Sequence, residues 1–211
     1  MSWHKGVIMT TSLKQFVTDT CKSFGNDRGR MMDIALAVQG RFGHVPSEAL
    51  DIIAAHSPLV EIGAGTGYWA MCLTELGADI VACDARVPGE GAPWDPTSGN
   101  PWHDDTWFPV EEGDESAAAF YPDRTLFLCW PPPENPMAFN TLSTYLRAGG
   151  RRLIFAGSVL SSGDASFHRL RAAMPRANQV ILHGWPYVTE ILSVHEAADD
   201  MSLLPDNMLA F

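Results

Sequence analysis

The stretch from Leu59 to Gly67, LVEIGAGTG, constrains the fold of this chain more than any other part of its sequence. Its first residues are typical of a buried strand, and the spacing of Gly63, Gly65 and Gly67 is typical of a tight turn that opens a helix. A turn without Cβ atoms lets backbone N–H groups approach a ligand closely. The pattern therefore predicts a nucleotide-type site at the end of a strand.

The length and composition predict one globular α/β domain. The chain has 211 residues, of which 46% are hydrophobic and 18% charged. Within that domain we expect a helical cap over residues 1–57, a core over 58–198 and a tail over 199–211. The four cysteines form no C-x-x-C pair, which favours a reducing, cytoplasmic setting.

Charge and hydropathy exclude several classes of partner. The net charge of −11 repels polyphosphates and disfavours nucleic-acid binding. The N-terminus lacks the apolar core of a signal peptide, and no stretch approaches the roughly 18 apolar residues of a membrane span. We therefore expect no membrane association, whereas nothing in the sequence indicates an oligomeric state.

Strand and helix patterns alternate along the chain. Helices are predicted at 11–24, 27–39, 47–57, 67–76, after Asp114, at 137–147 and at 164–173, and strands at 59–62, 79–83, 107–110, 125–130, 152–156, 179–183 and 189–195. A long Pro- and Gly-rich loop interrupts this order at 86–105. The pattern predicts a mostly parallel seven-stranded sheet, which the last two strands close as an antiparallel hairpin.

The glycine spacing distinguishes between cofactors. A dinucleotide fingerprint has G-x-G-x-x-G, whereas this chain has G-x-G-x-G, which disfavours NAD. Glu61 precedes the turn and Asp84 closes the next strand. This arrangement resembles motifs I and II of the class I S-adenosylmethionine (SAM) dependent methyltransferases, so the resemblance implies their Rossmann-like fold and SAM as the cofactor.

The resemblance extends along the chain from about Pro58 to Val194. Gly113-Asp114 stands where that superfamily often places the residue that receives the adenine amine, and TLFLCWPPP stands at its motif IV. The same stretch is similar to a small group of methyltransferase-like sequences that share EIGAGTGYWA, a GD step, LCWPP and a late WP. No finer assignment follows from these motifs.

The resemblance also implies a set of cofactor-binding residues. They are Glu61, Gly63, Ala64, Gly65, Gly67, Asp84, Asp114 and Cys129. Asp84 would accept hydrogen bonds from the ribose hydroxyls, Asp114 from the adenine amine, and Cys129 with Trp130 would wall the pocket beside the sulfonium. The alternatives are a turn residue for Asp84, a helix N-cap for Asp114 and a core side chain for Cys129.

The methyl acceptor is less clearly indicated. Trp130-Pro131-Pro132-Pro133 resembles the (N/D/S)PP(Y/F/W) motif of amino-group methyltransferases, but it lacks both the polar first residue and the aromatic last residue. Trp130, Pro131 and Pro132 could still form a rigid rim that stacks on a planar or cationic acceptor, or simply a proline-rich loop behind a core tryptophan.

Histidines are the other candidates for catalysis. His103 lies in the long loop that leaves the strand ending at Asp84, and His44 and His183 are weaker candidates for a base. Each is equally consistent with a structural or solvent-facing side chain. No His, Cys, Asp or Glu triplet has metal-ligand spacing, and His103-Asp104-Asp105 is typical of a solvated turn, so no metal is expected.

Together these features predict a SAM-dependent methyltransferase that acts on a small molecule or a protein side chain. One alternative is a SAM-binding protein without transferase activity, because the proline motif has lost its polar and stacking positions. A nucleic-acid amino-group methyltransferase is a further alternative that lacks a basic face. An NAD-dependent oxidoreductase is the most distant one.

Overall fold

Seven strands form one sheet in the part of the chain that the structure, a computed structural model, describes. That part comprises residues 47–89, 100, 103, 106–182 and 189–198. The strands are β1 Leu59–Ile62, β2 Ile80–Asp84, β3 Glu111–Glu112, β4 Thr125–Cys129, β5 Arg152–Gly157, β6 Arg176–Leu182 and β7 Glu190–Glu196. Their order across the sheet is β3-β2-β1-β4-β5-β7-β6.

The sheet is mostly parallel. Strands β1 to β5 pair in parallel, whereas β7 runs antiparallel to both of its neighbours, β5 and β6. The predicted α/β fold, a seven-stranded Rossmann-like sheet with an antiparallel pair at its end, is confirmed. The chain order reverses between β1 and β4, and the strand ends on either side of such a point form the usual ligand crevice of an open α/β sheet.

The strand directions give the sheet a carboxyl edge and an amino edge. The carboxyl edge is formed by the C-terminal ends of β1, β2, β3, β4 and β5, the N-terminal end of β7 and the segments that follow or precede these ends. The amino edge is the opposite one, where the parallel strands begin. Because β7 is antiparallel, its first residue, Glu190, lies at the carboxyl edge beside the end of β5.

Helices cover both faces of the sheet. They are α1 Ser47–Ala54, α2 Tyr68–Glu75, α3 Met137–Arg147 and α4 Ala165–Ala173, with a 3-10 helix at Glu115–Phe120. One face packs against α1 and α2, and there Trp69 meets Phe127 edge to face, with ring centroids 5.3 Å apart. The other face packs against α3 and α4. Since strand residues alternate, Glu61 lies on the α2 face together with Leu59.

Local signals account for several element ends. Asp164 caps α4 because its carboxylate accepts the N–H of Phe167 at 2.9 Å. Gly77 follows α2 with a φ of +88°, and Gly149 follows α3 with a φ of +98°. These helices lie where the sequence predicts them, within two residues at each end.

The third strand differs from its prediction. The sequence pattern predicted a strand at 107–110, but that prediction was wrong: β3 is Glu111–Glu112. Residues 107–110 instead pack against the glycine turn, where the N–H of Trp107 donates to the carbonyl of Thr66 at 2.8 Å. Contacts with the turn therefore replace pairing within the sheet.

Several predictions fall outside the described residues. They concern the helices at 11–24 and 27–39, most of the loop 86–105, residues 183–188 of the hairpin and the tail 199–211. The hairpin strands themselves are confirmed as an antiparallel pair. The division into a cap, a core and a tail stays a prediction.

Candidate cofactor and acceptor site

The glycine turn is held against the end of β2 by its own backbone. The N–H groups of Gly63 and Ala64 both donate to the carbonyl of Cys83, at 2.8 and 2.9 Å, and the N–H of Gly67 donates to the carbonyl of Ala64 at 2.9 Å. All three turn glycines have positive φ, as the predicted tight turn requires. The turn is thus a defined structure before any ligand is considered.

Gly65 lies at a position that does not accommodate a side chain. Its φ is +54°, and a Cβ placed on it would lie 2.8 Å from Cδ2 of His103. Both the backbone conformation and the close approach of the imidazole therefore require glycine here. His103 thus lies against the centre of the glycine turn.

Asp84 joins the turn to the end of β2. Its Oδ2 accepts the N–H of Gly65 at 2.8 Å, and its Oδ1 accepts the N–H of Arg86 at 2.8 Å. Asn100 Nδ2 lies 3.5 Å from the same Oδ1. The carboxylate is therefore fixed in orientation at the carboxyl edge, beside the turn that the sequence predicted as its neighbour.

Asn100 anchors the far end of the long loop at this point. Its Nδ2 donates to the carbonyl of Arg86 at 2.7 Å, and its Oδ1 accepts the N–H of His103 at 3.1 Å. The sequence alone does not indicate a role for Asn100, because a single asparagine in a Pro- and Gly-rich loop carries no recognisable pattern. The contact explains how His103 reaches the glycine turn.

Glu61 is a buried carboxyl that carries an unpartnered atom. The residue is 1% exposed, and its Oε2 has no hydrogen-bond partner among the described residues. Burial, and to a smaller extent the nearby Asp84 carboxylate, raise the pKa of Glu61 well above its ordinary value. A buried carboxyl oxygen without a partner fits a ligand group that donates a hydrogen bond or carries positive charge.

Asp114 lies near Asp84 because the N–H of Gly113 donates to the carbonyl of Asp84 at 3.0 Å. Its Oδ1 accepts the N–H of Ser116 at 2.8 Å and the Ser116 hydroxyl at 2.5 Å, so Asp114 is the N-cap of the 3-10 helix. These bonds lower the pKa of Asp114. The N-cap alternative is thus observed, and the adenine role stays a prediction that is compatible with it.

Cys129 ends β4 on the α2 face of the sheet. Burial and then the carboxyls of Glu61 and Glu190 raise the pKa of its thiol well above the ordinary value, with a partial offset from Trp69. The thiol therefore keeps its proton and is not a nucleophile. This placement fits a pocket wall, and it agrees with the core alternative as well.

Trp130 follows Cys129 in a left-handed backbone conformation, with a φ of +46°. Its N–H extends the β4–β5 pairing by donating to the carbonyl of Ala156 at 2.8 Å, and its indole N–H donates to Oε1 of Glu190. Glu190 is completely buried. The sequence alone does not indicate a role for Glu190, because a single acidic residue at the start of a strand carries no local signal.

The segment that contains the prolines is hydrogen-bonded to the loop after β5. The carbonyl of Pro131 accepts the N–H of Gly163 at 2.9 Å, and the carbonyl of Gly163 accepts the N–H of Glu134 at 3.0 Å. Pro131 is buried and Pro132 is half-buried. The predicted rigidity of this segment therefore has a structural basis in its contacts with the loop after β5.

Acidic side chains concentrate at the carboxyl edge. In the described segments that lie there they are Glu61, Asp84, Glu111, Glu112, Asp114, Glu134, Asp164 and Glu190, and Arg86 is the only lysine or arginine. At the amino edge, by contrast, arginines balance the acids: Arg124 binds Asp79 at 2.9 Å and Arg152 binds Glu196 at 2.8 Å. The edge with the glycine turn is therefore the acidic one.

In the described ranges, no group of three or more His, Cys, Asp or Glu side chains is placed to hold a metal ion. No helix in those ranges is long and apolar enough to cross a membrane. His44 and His183 lie outside them.

No protein-family model and no curated protein matches the sequence. Among solved structures, the chain is similar to magnesium protoporphyrin IX methyltransferase from Synechocystis PCC 6803 with bound S-adenosylhomocysteine, at 12% identity and a TM-score of 0.48, covering 92% of this chain and 100% of that one. It is also similar to human N-acetylserotonin methyltransferase in complex with SAM, at 10% identity and a TM-score of 0.39, covering 94% and 60%. Similarity at this level does not identify a function, which depends on the residues described above.

Proposed function

We propose that this chain is a SAM-dependent methyltransferase that acts on a small molecule or a protein side chain. The observation that carries the proposal is the bond from the N–H of Gly65 to Asp84, which unites the glycine turn and the acidic end of β2 in one site. The unpartnered Oε2 of Glu61 adds a buried acceptor beneath the same site. Both features suit a cofactor that carries hydroxyl, amino and sulfonium groups.

Different residues are assigned to different groups of the cofactor. Asp84 retains acceptor capacity for the ribose hydroxyls, because an ionised carboxylate has about four lone-pair sites and backbone N–H groups take two here. Glu61 is assigned to the ammonium group of the methionine part and Asp114 to the adenine amine. Cys129 and Trp130 would line the side towards the sulfonium.

When bound, SAM supplies a methyl group on a positively charged sulfur, and a nucleophile displaces that sulfur in line. The chain then has to orient the acceptor and exclude water, and it needs a base only for an acceptor that must lose a proton first. Trp130 and the Pro131-Pro132 rim would orient the acceptor. His103 lies against Gly65, so its proposed role is at the cofactor turn.

Isothermal titration with SAM and with S-adenosylhomocysteine tests the proposal. We expect saturable binding of both ligands with one site per chain. If correctly folded protein, verified by circular dichroism, binds neither ligand, the proposal is wrong. A strong preference for NAD in the same titration would favour the oxidoreductase alternative instead.

A SAM-binding protein without transferase activity is the second candidate. The observation in its favour is that the indole N–H of Trp130 is already bonded to Glu190, in a motif that lacks a polar first residue. Cofactor turnover distinguishes the two. Release of S-adenosylhomocysteine with any acceptor supports the transferase, whereas tight binding without release over broad acceptor panels supports the second candidate.

A further inference from the structure

The contact between Trp130 and Glu190 joins two strands that are not neighbours. Trp130 follows β4 and Glu190 opens β7, with β5 between them, and the two residues are 60 positions apart in the sequence. The contact therefore crosses the carboxyl edge above the end of β5. It lies on the part of the edge where the proposed acceptor would meet the cofactor.

Two independent restraints fix the direction of the Trp130 ring. The first is its backbone, which combines a φ of +46° with a hydrogen bond to the carbonyl of Ala156. A bulky residue in the left-handed region is disfavoured and persists only where its surroundings determine it. The second restraint is the bond from the indole N–H to the fully buried Glu190.

We propose that Glu190 is the positioning residue of the acceptor site and that the acceptor is an amine bound on the face of the Trp130 ring. This inference rests on the proposed methyltransferase function. An indole face attracts a cation, and an N–H group that donates to a carboxyl leaves more electron density on the ring. Glu190 would thus both aim the ring and strengthen its attraction for an ammonium group.

The charge distribution favours an amine over an anion. Besides Glu61, the carboxyl edge carries seven acidic side chains in its described segments against a single arginine, Arg86. A phosphate or carboxylate acceptor would be repelled by this edge, whereas an amine would be attracted. Arg86 follows β2, on the cofactor side of the sheet and away from Trp130.

The chemistry of transfer also suits an amine. An amine that binds as an ammonium ion has no free lone pair, so it first gives one proton to solvent. The lone pair of the neutral amine then forms the new bond to the methyl carbon, while the bond between carbon and sulfur breaks and its electron pair stays on sulfur. A second proton leaves the methylated nitrogen for solvent. The raised pKa keeps the proton on Cys129 beside Trp130, so that thiol accepts neither proton.

Fluorine NMR of protein labelled with 5-fluorotryptophan tests the positioning. The protein is saturated with S-adenosylhomocysteine, and Trp130→Phe identifies the Trp130 resonance among the seven tryptophans. The probes are 2-phenylethylamine and its neutral analogue 2-phenylethanol. We expect the amine to shift the Trp130 resonance and to bind roughly tenfold more tightly than the alcohol.

Two substitutions separate geometry from charge. Glu190→Gln keeps an acceptor for the indole N–H, so the Trp130 resonance should stay in place while amine affinity falls roughly tenfold. Glu190→Leu removes the acceptor, so the resonance should move and amine binding should be lost. In the Trp130→Phe background, Glu190→Gln should not lower the amine affinity further, because Glu190 acts through Trp130. Glu75→Gln, exposed on α2 at the amino edge, is the matched control and should change neither quantity.

Three outcomes overturn the inference. They are equal binding of the amine and the alcohol, an unchanged Trp130 resonance in Glu190→Leu, or turnover that requires an acceptor without an amine. Methylation of amines from a panel that includes a lysine peptide, with kcat/KM lowered in Glu190→Gln, supports it. If the wild-type protein does not bind S-adenosylhomocysteine, the proposed function itself is wrong. Failure of the inference can therefore be distinguished from failure of the proposed function.

Discussion

The proposed cofactor half and the proposed acceptor half of the carboxyl edge are built differently. In the cofactor half, formed by β1, β2 and β3, backbone N–H groups of the glycine turn bind the end of the adjacent strand, and Gly65 and Asp84 are 19 positions apart. In the acceptor half, formed by β4, β5 and β7, one side-chain pair spans 60 positions, from Trp130 to Glu190. The first half depends on local sequence and the second on tertiary contacts.

This difference indicates which half can change without loss of the other. A site made of backbone groups tolerates few substitutions, because other residues adopt the positive φ angles of its glycines only with strain. A site made of one tryptophan and one buried acid can be altered by changing either residue. We therefore expect cofactor binding and acceptor binding to be separable by mutation.

The largest expected effect is that of Gly65→Val. A β-branched residue would be strained at a φ of +54° and would collide with His103, whose Cδ2 lies 2.8 Å from the added Cβ position. We expect S-adenosylhomocysteine affinity to fall by about 3 kcal/mol or more, as measured by titration calorimetry. Gly77→Ala is the matched control, since Gly77 also has a positive φ but nothing within 4 Å of an added Cβ. Wild-type affinity in Gly65→Val would contradict the assignment of the turn.

Asp84→Ala should weaken cofactor binding by about 1 to 3 kcal/mol, because ribose donors would be left without an acceptor. The matched control is Asp79, which directly precedes β2 at the amino edge. Asp79→Ala removes an exposed carboxylate that binds Arg124 and should leave the cofactor affinity unchanged. Binding of 2-phenylethylamine to Trp130 should not weaken in parallel if the two halves are independent. An unaltered cofactor affinity in Asp84→Ala would remove the ribose assignment.

Glu61 should make stability depend on pH. Its pKa in the folded protein lies well above the ordinary 4.5, so the folded state keeps a proton that the unfolded chain releases. The free energy of unfolding should therefore decrease as the pH rises above about 4.5, by at most about 1.4 kcal/mol per pH unit, until the raised pKa is passed. Urea unfolding at a series of pH values measures this slope.

Glu61→Gln removes the titrating group and should flatten that dependence. In the wild-type protein, SAM affinity should rise with pH over the same range, because the ammonium group of the ligand favours ionised Glu61 and binding releases its proton. Equal slopes in the wild type and in Glu61→Gln would show that Glu61 is not the group responsible.

The smallest expected effect is that of Ser116→Ala. Loss of the Ser116 hydroxyl should raise the pKa of Asp114 towards its ordinary value of 3.8, as followed by carboxyl NMR. The backbone bond from Ser116 remains, so the cap and the position of the carboxylate should persist. Cofactor affinity should not change, whereas Asp114→Ala should lower it if Asp114 receives the adenine amine. If Ser116→Ala and Asp114→Ala bind the cofactor equally well, Asp114 caps the 3-10 helix and does not bind the adenine amine.

The sequence predicted the cofactor half more completely than the acceptor half. Gly63, Gly65, Gly67 and Asp84 follow from glycine spacing and from the alternation of strand and helix, both of which are local patterns. Glu190 and Asn100 could not be predicted in this way, because their roles arise only when distant segments meet. The strand predicted at 107–110 was wrong for a related reason: its apolar residues pack on the glycine turn instead of pairing in the sheet.

The unequal charge of the two edges has a kinetic consequence. With acids gathered where the strands end and arginines where they begin, the described part of the molecule carries an electric dipole along its strands. The field would steer a small cation from solution towards the glycine turn before the cation touches the protein. Association would then be faster than random collision, and added salt would slow it by screening while leaving dissociation nearly unaffected.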